Sequence, residues 1–116
     1  MKIFDCTLYY DEDLILDARL NILNQYIDKF IICEASFTHS GRKKKLNFDI
    51  NKFAKFKDKI IYITQETEPN DIIYQDEIKK IEDPINWRAN AVKRIAHQRN
   101  KLLEEVGKHA DMNDYI

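Results

Sequence analysis

The run Phe30-Ile31-Ile32-Cys33-Glu34-Ala35-Ser36-Phe37-Thr38-His39-Ser40-Gly41 decides how this chain is read. Its first half is apolar at consecutive positions and rich in Ile and Phe. That composition predicts a strand over 29–35 buried on both faces. A carboxylate, Glu34, then interrupts it, and a small polar loop follows, closed by one of the chain's two glycines. Ligands of open α/β sheets sit at the carboxyl ends of the strands, so an acid followed by Thr, His, Ser and Gly reads as a site. The competing reading is an ordinary loop, with Glu34 solvated or paired to a nearby cation.

On the N-terminal side, residues 2–10 are rich in aromatic and β-branched side chains and predict a first strand. Asp11-Glu12-Asp13 supplies a helix cap and first-turn acids. Leu16, Leu20, Leu23 and Ile27 follow at helical spacing, so an amphipathic helix is expected over 13–27. On the C-terminal side, the loop Thr38–Leu46 leads to Asp49, which can cap a short helix carrying Ile50, Phe53, Ala54 and Phe56. Lys59 to Thr64 predicts a third strand. A helix is expected over 71–82 and a longer one from Arg88 to about Val106, and Asp114-Tyr115-Ile116 reads as the start of another strand. Strand, helix, strand, helix, strand implies a parallel sheet with right-handed crossovers, an α/β, Rossmann-like unit.

The chain has 116 residues, a formal net charge of -1 and no linker or repeat, so residues 1–116 are expected to form one domain. The charge gives no reason to expect nucleic acid or an anionic membrane surface as partner. Arg42-Lys43-Lys44-Lys45 is the one basic cluster, a solvated loop or a phosphate contact. Cys6 and Cys33 both fall in apolar runs and read as free buried thiols. An acid at Asp5 interrupts any leader, and no run approaches the length of a membrane span, so a cytoplasmic location is expected.

The long C-terminal helix carries a second anomaly. Val92, Ile95, Ala96, Leu102, Leu103 and Val106 form its apolar stripe, and Arg99 falls at the centre of it. A core-facing arginine needs an anion. Asp5 or Glu34 would serve as an internal partner, and a ligand phosphate would suit a guanidinium fork. There is no glycine-rich dinucleotide or P-loop signature. Thr64 stands where a receiver domain would need its aspartate, and His39, His97 and His109 lack zinc-ligand spacing. A metal nuclease built on Glu34 would want a lysine two residues on, where the chain has Ser36.

Met1-Lys2-Ile3-Phe4-Asp5-Cys6, then Asp11-Glu12 and the Leu-rich helix with Arg19, resemble the start of glycosyltransferase family 17. Ile32-Cys33-Glu34-Ala35-Ser36-Phe37-Thr38-His39-Ser40-Gly41 is similar to that family's Glu-Ala-x-x-Thr-His-Ser-Gly block. Phe56-Lys57-Asp58-Lys59-Ile60-Ile61-Tyr62 and His97-Gln98-Arg99-Asn100 continue the match, whereas residues 66–90 match poorly. The resemblance implies the N-terminal half of a GT-A type fold and transfer of N-acetylglucosamine from a UDP-sugar donor to a mannose of a glycan acceptor. It also implies a divalent metal, Mn or Mg, held in the full-length family by an Asp-x-Asp motif beyond the next strand. The sequence reaches Ile116 where that strand begins, so this polypeptide is expected to bind no metal and to be inactive alone.

On the same resemblance, Asp5, Glu12, Glu34, Thr38, His39, Ser40, Gly41, Arg99 and Asn100 are expected to bind the nucleotide-sugar. Glu34 would meet a ribose hydroxyl or base edge, Thr38 to Gly41 would lie near the diphosphate, and Arg99 would stabilise the leaving group. No catalytic residue is assigned. A non-catalytic binding or interaction module built on the same half-fold is the alternative, with a homodimer or partner subunit covering the exposed sheet.

Overall fold

A computed structural model of the chain describes residues 1–73 and 83–116. Its centre is a three-stranded parallel sheet of β1 (Phe4–Tyr9), β2 (Lys29–Ala35) and β3 (Ile60–Gln65), in the order β1-β2-β3. Pairing aligns Tyr9 with Glu34 and Glu34 with Thr64, so the three strands end together at one edge of the sheet. β2, the most apolar strand, is the central one. Its residues Phe30 to Glu34 are all buried, as a strand covered on both faces requires.

Side chains alternate across the sheet. On one face Phe30 and Ile32 join Tyr9 and pack under Leu16 and Leu20 of α1 (Asp13–Leu23) and under Phe53 and Phe56. The two phenylalanines come from a 3₁₀ segment, Ile50–Phe56, which Asp49 caps by accepting from the Asn51 N–H. On the other face Phe4, Ile31 and Cys33 pack against Leu102 and Val106 of α2 (Pro84–His109). Asp83 caps α2 by accepting from the Asn86 N–H, with Pro84 in the first turn, where its missing N–H costs nothing.

α2 carries the chain back across the sheet, and its exit reaches β1. Ile3 and Tyr115 form a parallel bridge outside β1: Phe4 N–H donates to the Tyr115 carbonyl at 2.8 Å, and Tyr115 N–H to the Lys2 carbonyl at 2.8 Å. The chain therefore leaves β1 in one direction through β2 and β3 and returns on its other side. That reversal of strand order at β1 is the topological switch at which doubly wound α/β proteins bind ligands.

The expected parallel α/β architecture is thus present, and of the strand expected over 114–116 the structure shows an isolated parallel bridge at Tyr115. Some details differ. α1 ends at Leu23 rather than 27, because a turn delivers Ile27 to the core from outside the helix. The acidic cap also differs. The Glu12 carboxylate turns back to accept from the Tyr10 and Asp11 N–H groups at 3.1 and 3.0 Å and makes no side-chain cap. Asp13 instead pairs with the Tyr9 hydroxyl and Lys52. Of the helix expected over 71–82, residues 74–82 lie outside the described residues, and 71–73 are not helical.

α2 corrects the reading of Arg99. Its buried positions are Asn90, Ala91, Arg94, Gln98, Leu102 and Val106, while Val92, Ala96, Arg99 and Leu103 are exposed. The helix is rotated by about one residue from the apolar stripe, and Arg99 does not face the core. The physical reason is that α2 lies across the carboxyl end of β2, where main-chain carbonyls and a polar loop need donors. Arg94 and Gln98 supply them. The internal partners considered for Arg99 are taken as well: Asp5 by Arg19, at 2.7 and 2.6 Å, and Glu34 by Lys44.

Candidate functional site

The carboxyl ends of β1 and β2, the loop after β2 and the middle of α2 enclose a crevice of about 260 Å³. Tyr10 and Glu12 after β1, Phe37 and His39 after β2, and Gln98 of α2 contribute to its lining. Glu34 organises the loop rather than facing this space. Its side chain is fully buried, and both carboxylate oxygens are occupied. Oε2 accepts from Lys44 Nζ at 2.6 Å and Asn47 N–H at 2.6 Å, and Oε1 from Tyr62 O–H at 2.8 Å and Phe48 N–H at 3.0 Å. Burial raises the Glu34 pKa, but the hydrogen bonds from Lys44, Asn47, Phe48 and Tyr62 outweigh it and hold the carboxyl below its ordinary value. One carboxylate thereby pins the chain between Lys44 and Phe48 onto the end of β2, and Phe48 stacks on Tyr62 and Phe53.

The intervening loop closes on itself. Thr38 N–H donates to the Arg42 carbonyl at 2.8 Å, the Gly41 N–H to the Thr38 carbonyl at 3.0 Å, and the Thr38 and Ser40 hydroxyls share a hydrogen bond at 2.9 Å. Gly41 turns the chain at φ 101°, a conformation suited to glycine. Arg94 fastens this loop from below. Its guanidinium donates to the His39 carbonyl at 3.1 Å and to Glu68 at 2.8 Å, and Arg94 is itself nearly inaccessible. The buried charge is thus paired and hydrogen-bonded, as its burial demands.

Of the residues expected to bind a nucleotide-sugar, the structure brings Glu12 and His39 to the crevice, with Thr38, Ser40 and Gly41 in the loop that bounds it. Glu34 lies beneath that loop. Asp5 is held by Arg19 on the α1 side of β1, and Arg99 opens on a separate groove of about 530 Å³ along the outer edge of β1, with Cys6, Leu8 and Leu103. Asn100 is exposed on α2. Sequence reasoning missed Tyr10, Phe37, Arg94 and Gln98. The signal for the last two was present, because Asn90, Arg94, Gln98, Leu102 and Val106 recur every four residues. Among the described residues no group of three or more His, Cys, Asp or Glu side chains is placed to hold a metal ion.

Both cysteines are free. Burial pushes the Cys33 thiol up to about 12, reinforced by the Glu34 charge and opposed by Lys101. No described helix is long and apolar enough to cross a membrane.

The three-stranded parallel sheet with helices packed on it, and a crevice at its carboxyl end bounded by the Thr-His-Ser-Gly loop, make this an α/β protein. Residues 1–113 match the model of glycosyltransferase family 17, nearly the whole chain, and the protein belongs to that family. No curated protein and no solved structure matches the chain at a significant level.

Proposed function

We propose that this chain is the donor-binding portion of a glycosyltransferase of GT-A type, and that the crevice between β1 and β2 takes the nucleoside part of a UDP-sugar. The observation that carries the reading is the position of the crevice. It lies at the carboxyl end of β1, where the strand order reverses, in a chain of glycosyltransferase family 17. Its lining suits a nucleoside. Tyr10 and Phe37 offer aromatic surface for a base, and Glu12 is an acceptor for hydroxyl or imide protons. Arg94 is committed to Glu68 and His39, and Lys44 to Glu34. A diphosphate would extend away from the crevice, past the loop of Thr38, Ser40 and Gly41. Transfer of N-acetylglucosamine to a mannose acceptor is the family-level expectation for the sugar half of the reaction.

Titration of the ¹⁵N-labelled chain with UDP, uridine and ADP tests this reading. UDP and uridine are expected to shift the amide signals of Tyr10, Phe37 and His39 in the millimolar range, with ADP weaker. Signals unmoved at saturating UDP, or moved only along the outer edge of β1, would overturn it. A stable dimer by light scattering with no response to UDP would favour the interaction module.

A further inference from the structure

The outer edge of β1 is paired at one end and open at the other. The Phe4 N–H donates to the Tyr115 carbonyl and the Tyr115 N–H to the Lys2 carbonyl, so Lys2 and Phe4 turn these main-chain groups away from β2. Alternation along the strand carries the N–H and carbonyl groups of Cys6 and Leu8 to the same side. Among the described residues no strand meets them there. The Leu8 carbonyl accepts instead from the hydroxyl of its own neighbour, Thr7, at 3.2 Å.

The Tyr115 bridge fixes where the side chains of a longer partner would go. Ile3 and Tyr115 stand opposite each other in parallel pairing, which sets Ile116 opposite Phe4. Phe4 faces α2, and Ile116 lines the groove between α2 and the β1 edge. A segment running on in that direction would set side chains opposite Cys6 and Leu8 into the same groove, against Leu102, Leu103 and Val106. Leu103 and Ile116 are apolar yet 62% and 71% exposed, so the groove still has apolar surface to cover.

Both charged residues lining the groove are cations. Arg19 is paired with Asp5 at 2.6 Å, whereas no hydrogen bond or ion pair among the described residues engages the Arg99 guanidinium. α2 runs from the carboxyl end of the sheet, where Gln98 meets Cys33 opposite Leu8, toward the Ile3 bridge. Arg99 therefore stands at the Leu8 end of the groove. A second copy would bring an equally cationic groove to this edge, so charge favours a different chain.

We propose that the open edge of β1 takes up an extended segment of a partner polypeptide by strand addition, parallel to β1 and in line with Tyr115. The segment has apolar side chains at the two alternate positions opposite Cys6 and Leu8, and an acidic one beyond them to meet Arg99. Four main-chain groups, the Phe4 and Cys6 carbonyls and the Cys6 and Leu8 N–H groups, hold its backbone. The groove is separate from the nucleoside crevice, and the inference does not rest on that reading.

A short acetylated peptide that alternates threonine with valine and ends in aspartate is the probe. In the millimolar range it is expected to shift the amide signals of Cys6 and Leu8 in the ¹⁵N-labelled chain, to slow their hydrogen exchange and to slow maleimide at Cys6. The same peptide N-methylated at its threonines lacks the N–H groups that face β1 and should do none of these. Arg99→Ala should bind the parent peptide about threefold more weakly, and a peptide ending in lysine should lose as much against the parent chain. No response of Cys6 and Leu8 at the solubility limit of the peptide would overturn the inference, as would equal effects of the N-methylated peptide. A dimer by light scattering that protects Cys6 without peptide would also overturn it, by making a second copy the occupant. Equal binding by Arg99→Ala would overturn the acidic requirement.

Discussion

The Arg94 guanidinium lies directly against Gly41: a Cβ on that glycine would stand 2.6 Å from Arg94 Nη2 and 2.8 Å from Cζ. The far end of an arginine normally yields to such an intrusion. This one is held by Glu68 and by the His39 carbonyl. Gly41→Ala therefore meets both an unfavourable φ and an obstructing charge that has few places to go. It is expected to cost about 2 kcal/mol, read as a lower midpoint in urea unfolding. A variant as stable as its parent would show that the loop can be rebuilt without the Arg94 contact.

Removing the charge that anchors the loop should cost more. Glu34→Gln leaves the Lys44 ammonium buried without its counter-ion and turns an amide donor toward groups that can only donate. The expected loss is about 3 kcal/mol. Tyr62→Phe removes a single donor from the same carboxylate, and about 1 kcal/mol is expected. Denaturant curves of the two variants should therefore fall in that order below the parent.

The same carboxylate sets an acid limit on stability. Unfolded, Glu34 titrates near the ordinary value of 4.5; folded, its hydrogen bonds hold it lower. Between those two values the unfolded chain binds more protons than the native one, so acid favours unfolding. The contribution of Glu34 is complete above 4.5 and is lost as the pH falls through its folded pKa. Stability measured from pH 6 downward should decline in the parent and decline less steeply in Glu34→Gln.

Arg94 and Arg99 should separate cleanly. Arg94→Met leaves Glu68 and the His39 carbonyl without their donor and is expected to destabilise by about 2 kcal/mol. Arg99→Ala, on the exposed face of α2, should stay within about 0.5 kcal/mol of the parent. Thermal unfolding of the pair checks this. The reverse ranking would mean that α2 sits in the rotation first read from its apolar letters.

Thiol chemistry reports on the sheet. Cys33 is fully buried and its thiol is pushed up to about 12, so it should resist maleimide in the native protein. Cys6, partly exposed in the groove beside β1, should react slowly, because burial and the neighbouring Asp5 raise its pKa, with Arg19 opposing. Mass spectrometry should show a single adduct under native conditions and two in denaturant.

These contacts also explain which parts of the molecule were legible beforehand. β2 and α1 were readable because their apolar spacing serves one purpose, burial against a neighbour. Glu34 stood out as an anomaly for the same reason. Its four protein donors did not, because Lys44, Asn47, Phe48 and Tyr62 meet only once the loop has folded back, and no local spacing records that. α2 misled because its buried stripe answers to two needs. Toward β1 it needs Leu102 and Val106, but over the end of β2 it needs Arg94 and Gln98. The apolar Val92 and Leu103 were free to lie outside. Counting apolar letters averages over those needs and rotates the helix.

The bridge between Ile3 and Tyr115 has a consequence for how the protein is made. Lys2 N–H also donates to Asp114 at 2.8 Å, across a separation of 112 residues. During synthesis β1 emerges first and its partner β2 soon after, yet the outer edge of β1 can receive Tyr115 only once almost all of these residues have been translated. Until then the nascent chain presents that edge to its surroundings, a ready template for another strand. Asp5 and Arg19, already able to pair when α1 forms, place a charged couple beside it throughout that interval.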